Sequence, residues 1–202
     1  MGCAHRADAS GHSAPALRYL SVGVKVRSIV MAGSDDTFLP DIWQFFLHHP
    51  CERDWTLSSY KVCGRPCSSA EDFWLIMNSV TRVIERTMIF VMRDGVMPVW
   101  DDPACIDGTL VSILVAYEKA AEAFGQTAMR ALGETLVKPG SGSIEVVGVS
   151  LSPKRLHCVL KIWLSVPVES ECFHDNFDFP SVVANCELKF QPCRQQISES
   201  KA

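Results

Sequence analysis

Two stretches of helical periodicity interrupt a succession of short apolar runs, and this alternation constrains the fold more than any other property of the chain. The apolar runs lie at residues 42–47, 87–92, 109–115, 144–151, 156–164 and 182–190. Their length and apolar, often β-branched or aromatic character predict strands. Asp94-Gly95 closes the second run, and the turn Ser152-Pro153-Lys154-Arg155 links the fourth and fifth. The first helix is predicted to start at Ser68-Ser69-Ala70-Glu71-Asp72, where either serine can cap and an acid follows three residues on. It places Phe73, Met77 and Val80 on one side, with Trp74 beside that stripe. The second helix spans 117–136, weakened at Gly125 and stopped by Lys138-Pro139-Gly140. Strands in hairpin-like succession with inserted helices predict an α+β domain. Its antiparallel sheet would be covered by helices on one face and open to a ligand on the other.

The chain's 202 residues suffice for one domain with a full core. A formal net charge of −4 argues against gripping long nucleic acid through its phosphates, which needs a basic excess. Nine scattered cysteines, an odd number, read as free thiols of a reducing cytosol. Cys63 and Cys67 are the only close pair, and no further ligands at zinc spacing accompany them, so no metal is expected. The longest apolar run, 110–117, is too short to cross a membrane. Met1-Gly2-Cys3 departs from the acylation motif, which prefers Ser or Thr where Arg6 stands. Residues 1–37 are expected to be a partly disordered extension, with 22–31 a strand or appended element. Residues 38–193 would form the domain and 194–202 a flexible tail.

The five tryptophans carry the functional signal. Trp43 reads as core. Trp55, in Glu52-Arg53-Asp54-Trp55-Thr56, and Trp100, before Asp101-Asp102, sit beside turn and acidic residues, a context that suits stacking on a planar ligand. His48 and His49 are adjacent in a strand, point to opposite faces, and read as surface or structural residues rather than metal ligands. A thiol hydrolase using His157 or His49 lacks a cysteine set beside a base with an orienting third group.

Several ordered blocks extend this signal: Trp43-Gln44-Phe45-Phe46, then Trp55, then Ser69-Ala70-Glu71-Asp72-Phe73-Trp74. Next come residues 92–102 (Met-Arg-Asp-Gly-Val-Met-Pro-Val-Trp-Asp-Asp), Leu132-Gly133-Glu134 and Ile162-Trp163. In this order and spacing, over about residues 40–165, they resemble the eukaryotic translation initiation factor 4E family, whose members bind the messenger RNA cap. The resemblance implies a curved antiparallel sheet with helices on its convex face and a cap-binding slot on the concave side. It implies a 7-methylguanosine triphosphate ligand, no cofactor, no catalytic residues and a cytoplasmic protein, monomeric outside its complex. Trp55 and Trp100 would sandwich the base, Asp101 would accept its N–H groups, and Trp163 would lie by the methyl group. Asp102 is an alternative to Asp101, and the family usually has Glu at this position. Lys154, Arg155 and Lys161 are the cations available for the phosphates, with His157 weaker. Trp74, Ala70 and Met129 would form the surface for an initiation factor 4G-like scaffold or a 4E-binding repressor. Ala70 and Gly125 are smaller than the family's usual residues there, which raises a second reading: a cap-binding repressor that does not engage the usual scaffold.

Overall fold

The computed structural model of the protein describes residues 36–170 and 175–200. The extension expected at its start, including 22–31, lies outside the described residues except for residues 36 and 37. Seven strands form one curved antiparallel sheet. They are β1 (Phe38–His48), β2 (Lys61–Ser69), β3 (Met88–Arg93), β4 (Thr109–Val115), β5 (Val146–Pro153), β6 (Cys158–Leu164) and β7 (Leu188–Pro192). Their order across the sheet is β2-β1-β3-β5-β6-β4-β7. Helices α1 (Ala70–Val80) and α2 (Tyr117–Leu132) follow β2 and β4, and α3 (Cys193–Ser200) follows β7.

Alternation along the strands decides what each face carries. Trp43 and Phe45, Ile89 and Val91, Val111 and Ile113, and Leu160 and Ile162 point to one side. There they pack with Phe73 and Met77 of α1 and Phe124 and Ala128 of α2 in one buried cluster. The intervening residues point to the opposite face. Directly paired residues run across it in a row: Phe46, Phe90, Ser150, Lys161, Ser112 and Lys189. Within this row the β1–β3 end is aromatic and the β6–β7 end cationic.

Local chemistry fixes the helix ends. The Ser69 hydroxyl accepts the Asp72 N–H at 3.1 Å, a standard N-cap. Asp72 accepts hydrogen bonds from Arg65 and Ser68, and these outweigh burial to hold its carboxyl below the usual range. Thr37 docks the incoming chain through its N–H to Glu71, 2.9 Å. Arg93 lies over Trp43 and ties Asp41, Glu134 and the Val146 carbonyl together, bracing β1, β5 and the end of α2.

Four expectations change. Helix α2 ends at Leu132, not 136, because Glu134 takes a left-handed φ of 54° and the Leu136 N–H turns back to the Arg130 carbonyl. The turn between β5 and β6 is 154–157, closed by the Lys154 N–H on the His157 carbonyl, so Ser152 and Pro153 belong to β5. The last strand is Leu188–Pro192, not 182–190; Val183 is buried as part of a turn instead. Residues 194–200, expected to be loose, are helical and extend the domain past 193.

Gly108 permits the close approach of β4 to the end of β6: a Cβ there would stand 1.7 Å from the Leu164 carbonyl oxygen. Gly108→Ala should therefore cost about 3 kcal/mol in urea denaturation, through forced separation of backbone. Gly95→Ala meets no atom within 4 Å and strains only a φ of 80°. It should cost about 1–2 kcal/mol.

Candidate functional site

The open sheet face carries a cavity of about 770 Å³. Its floor is laid by Trp163, only 2% exposed, whose indole N–H donates to the Ser150 hydroxyl at 3.0 Å. Phe90 meets Trp163 edge-on, and Tyr60 meets Phe90 the same way, with centroids 6.4 and 5.5 Å apart. Gly148 pairs with Trp163 and Met92 across the ladder, and any Cβ on it would fall 2.3 Å from the Met92 sulfur.

Trp55 stands on one wall, 53% exposed yet held. The Asp54 carboxylate accepts the Thr56 N–H and hydroxyl, both at 2.9 Å, and so folds the loop around it. Behind the indole, the buried His48 ring stacks at 4.2 Å, inclined by 4°. Nε2 of His48 donates to the Asp54 carbonyl at 3.1 Å. One face of Trp55 is thus backed by a fixed aromatic ring. Read from the sequence as surface or structural, His48 is structural, and it acts directly behind the site.

The opposite loop presents Trp100 and Asp101. Asp102, offered above as an alternative to Asp101, is already engaged: its carboxylate accepts the Met97 and Ala104 N–H groups, each at 2.9 Å. It ties the loop, and the exposed Asp101 side chain makes no hydrogen bond among the described residues. Its charge reaches Tyr60, whose hydroxyl is pushed up to about 12 by burial first and by Asp101 second.

Lysines gather at the β6–β4–β7 side. Lys161 Nζ lies 5.7 Å from the Trp100 ring centroid, within cation–π range. Burial, then the charges of Lys154 and Lys189, lower its pKa. Lys161 and Lys189 both pair with Ser112, which puts them on one face two strand spacings, about 10 Å, apart. Between them the buried Ser112 hydroxyl has no partner among the described residues. This is an anion-seeking arrangement: Lys161 partly stripped of water, two exposed lysines nearby and an unsatisfied donor, with no carboxylate among the described residues bonded to them.

A protein-family model for eukaryotic initiation factor 4E matches residues 38–200. The chain belongs to the eukaryotic initiation factor 4E family. Its fold is shared with Caenorhabditis elegans eIF4E-3, solved with the 4E-binding protein Mextli and a cap analog. That match has 13% identity, 81% of this chain and 96% of that one covered, and TM-score 0.65. Schistosome eIF4E, solved with m7GpppG and 4E-BP, matches at 18% identity, with 82% and 93% covered and TM-score 0.65. Ascaris suum eIF4E-3 with m7G cap matches at 13% identity, with 78% and 91% covered and TM-score 0.59. A direct search of curated protein sequences finds no match.

Within this 4E-family fold, Trp55, Trp100, Asp101, Trp163, Lys154 and Lys161 all line the one cavity. Arg155 is not brought in: it sits exposed on the 154–157 turn, outside the lining. Lys189 was missed. The alternation in Leu188-Lys189-Phe190-Gln191 could have revealed it, since Lys189 and Gln191 face the cavity while Leu188 and Phe190 pack on the core.

Trp74 lies on the helical side, 44% exposed. Its ring edge passes 3.5 Å from where a Cβ on Gly125 would stand, so Gly125 forms a shelf beneath the indole. Ala70 and Trp74, like Gly125 and Met129, are one helical turn apart and share a stripe. Trp74 over Gly125 brings the α1 stripe beside the α2 stripe.

Two measurements check the loop assignment. Asp102→Ala should lower stability by about 2 kcal/mol through its two lost backbone bonds, whereas Asp101→Ala should leave the urea midpoint in place. In an absorbance titration, Tyr60 should ionise near 12. The sign follows from a raised folded pKa in a group that ionises near 10 when unfolded: Tyr60 stabilises the fold below 10, and that contribution is lost as pH rises towards 12. Asp101→Asn should lower the Tyr60 pKa by removing the nearby charge.

Proposed function

We propose that the protein binds the 7-methylguanosine cap of messenger RNA between Trp55 and Trp100 and acts in translation initiation. The carrying observation is the composition of the cavity on the open face: two tryptophans on its walls, an uncommitted Asp101 beside one, and Lys154, Lys161 and Lys189 beyond. Methylation at N7 makes guanine cationic. Stacking on each indole contributes ~1–3 kcal/mol, and the ring charge adds ~0.5–2 kcal/mol when desolvated. Asp101 accepts the guanine N1–H and N2–H and offsets the ring charge. Trp163 lies against the methyl group. The lysines, with Ser112, take the phosphates. Lys161, now over Trp100, yields that π-face to the base and turns its ammonium to the phosphate chain. No catalytic residue and no cofactor enter this reading.

The partner surface around Trp74, with Ala70 and Met129, receives an amphipathic helix of a 4G-like scaffold or of a 4E-binding repressor. Support comes from the half-exposed indole on the helical side and from structures of relatives solved with 4E-binding proteins. A second reading, a cap-binding repressor or RNA-regulatory paralogue that does not engage the usual scaffold, is favoured by Gly125: it lets Trp74 settle onto α2 rather than stand away from it. The protein is taken to act in the cytoplasm and as a monomer outside its complexes.

Tryptophan fluorescence should be quenched by 7-methyl-GTP, with GTP binding about 2- to 30-fold more weakly for want of the cation–π contribution. Equal binding of the two nucleotides would reject the cap reading. Trp55→Ala and Trp100→Ala should each weaken 7-methyl-GTP about tenfold or more. His48→Ala should weaken it too, and His48→Phe should restore it by again backing Trp55. Trp74→Ala should keep the wild-type affinity. Immobilised cap loaded with the protein in cell extract then separates the two readings by whether a translation scaffold co-purifies.

A further inference from the structure

Two buried cysteines beneath the cavity have no part in ligand binding as described. Cys105 and Cys193 are both 0% exposed and share the apolar cluster of the open face with Trp163 and Leu110. Their side chains lie in that one cluster, close enough for each to perturb the other's ionisation. The backbone brings them together through Gly108, whose N–H donates to the Cys105 carbonyl at 2.8 Å and whose carbonyl accepts the Cys193 N–H at 3.1 Å. The two belong to different parts of the site. Cys105 lies in the loop that carries Trp100 and contacts the Val99 carbonyl through its thiol, 3.6 Å. Cys193 is the first residue of α3, which supplies Gln196 and Ile197 to the cavity wall.

We propose that Cys105 and Cys193 are a disulfide-forming pair, whose oxidation staples the Trp100 loop to α3. The oxidant is a small-molecule disulfide, RSSR. The Cys193 thiolate attacks one sulfur of RSSR, breaking its S–S bond and releasing RS⁻. Cys105 then gives up its proton, and its sulfur displaces the second RS⁻ from the mixed disulfide. Two protein thiols are oxidised, RSSR is reduced to two RSH, and the two protons leave on the released thiols.

The surroundings suit Cys193 as the attacking sulfur. The neighbouring Cys105 side chain first, and the Lys161 ammonium beyond it, lower its pKa against the opposing effect of burial. Cys105 moves the other way, raised by Cys193 first and by burial second. A lowered pKa raises the thiolate fraction on which exchange depends. Access comes through α3, a short polar helix held at its start by the Arg194–Asp107 ion pair, whose side chains are 66% and 67% exposed. Attack by Cys193 requires a local opening of α3 that uncovers it.

The test equilibrates the folded full chain with oxidised glutathione, alkylates free thiols under denaturing conditions, digests, and maps disulfides by mass spectrometry without reduction. Exposed Cys51 reports in the same sample that the oxidant acted, by forming a glutathione adduct. The expected result is one cross-linked product joining the peptides of Cys105 and Cys193, two hydrogens lighter than their sum. In Cys105→Ser the link should be absent and Cys193 should carry glutathione. Recovery of Cys105 and Cys193 as separate alkylated thiols alongside modified Cys51, or a link from either to another cysteine, would overturn the proposal. The wild-type map decides this even if the variant fails to fold, and none of these readouts depends on cap binding.

Discussion

The two-sidedness of the antiparallel sheet governs everything else in this protein. Side chains alternate, so every strand that gives a valine or isoleucine to the helices also gives a residue to the opposite face. Helices α1 and α2 remove one face from water and supply the hydrophobic stabilisation of the fold. That leaves the other face able to tolerate groups that would be costly in a core. The paired row from Phe46 to Lys189 is the result. An aromatic end, a serine-lined centre and a cationic end lie within one cavity because the strand order juxtaposes residues far apart in sequence.

The electrostatics of the cavity are polarised by the same order. Lys161 is partly desolvated and faces two further lysines, which is unfavourable until an anion arrives. Asp101 stands free because its neighbour Asp102 is consumed in holding the loop. Adjacent carboxylates thus have separate tasks, one structural and one available. The same division holds at Trp55, where Asp54 shapes the turn and His48 backs the ring, leaving the outer indole face unencumbered by either. Rigid support of this kind lowers the ordering cost of binding a planar ligand.

The helical side obeys a different logic. Trp74 is displaced from the buried stripe of Phe73, Ile76, Met77 and Val80 and rests over Gly125. A large side chain at 125 would compete for the space the indole occupies. The lack of a side chain at this one position therefore sets how far Trp74 stands off the surface, and with it the shape of the helical side.

The fold class, the capped start of α1 and the strand Thr109–Val115 were legible in the chain, because capping and alternation act over a few neighbouring residues. The ordered tryptophan blocks likewise pointed to one family, and of the seven residues named for the ligand six line one cavity while Arg155 does not. The end of α2 was misjudged by periodicity, since Leu136 keeps the apolar pattern while its backbone has already left the helix. Helix α3 was missed because its sequence is polar; its ordering rests on Cys193 in the cluster and on Arg194 with Asp107. Lys189, the backing role of His48 and the release of Asp101 by Asp102 depend on strand register and loop hydrogen bonds between distant or non-periodic positions. The sequence alone determined which chemical groups the protein possesses and the local shapes of its segments. Only the tertiary structure decided which groups face each other, because pairing across a sheet is set by long-range register that no short stretch of chain encodes.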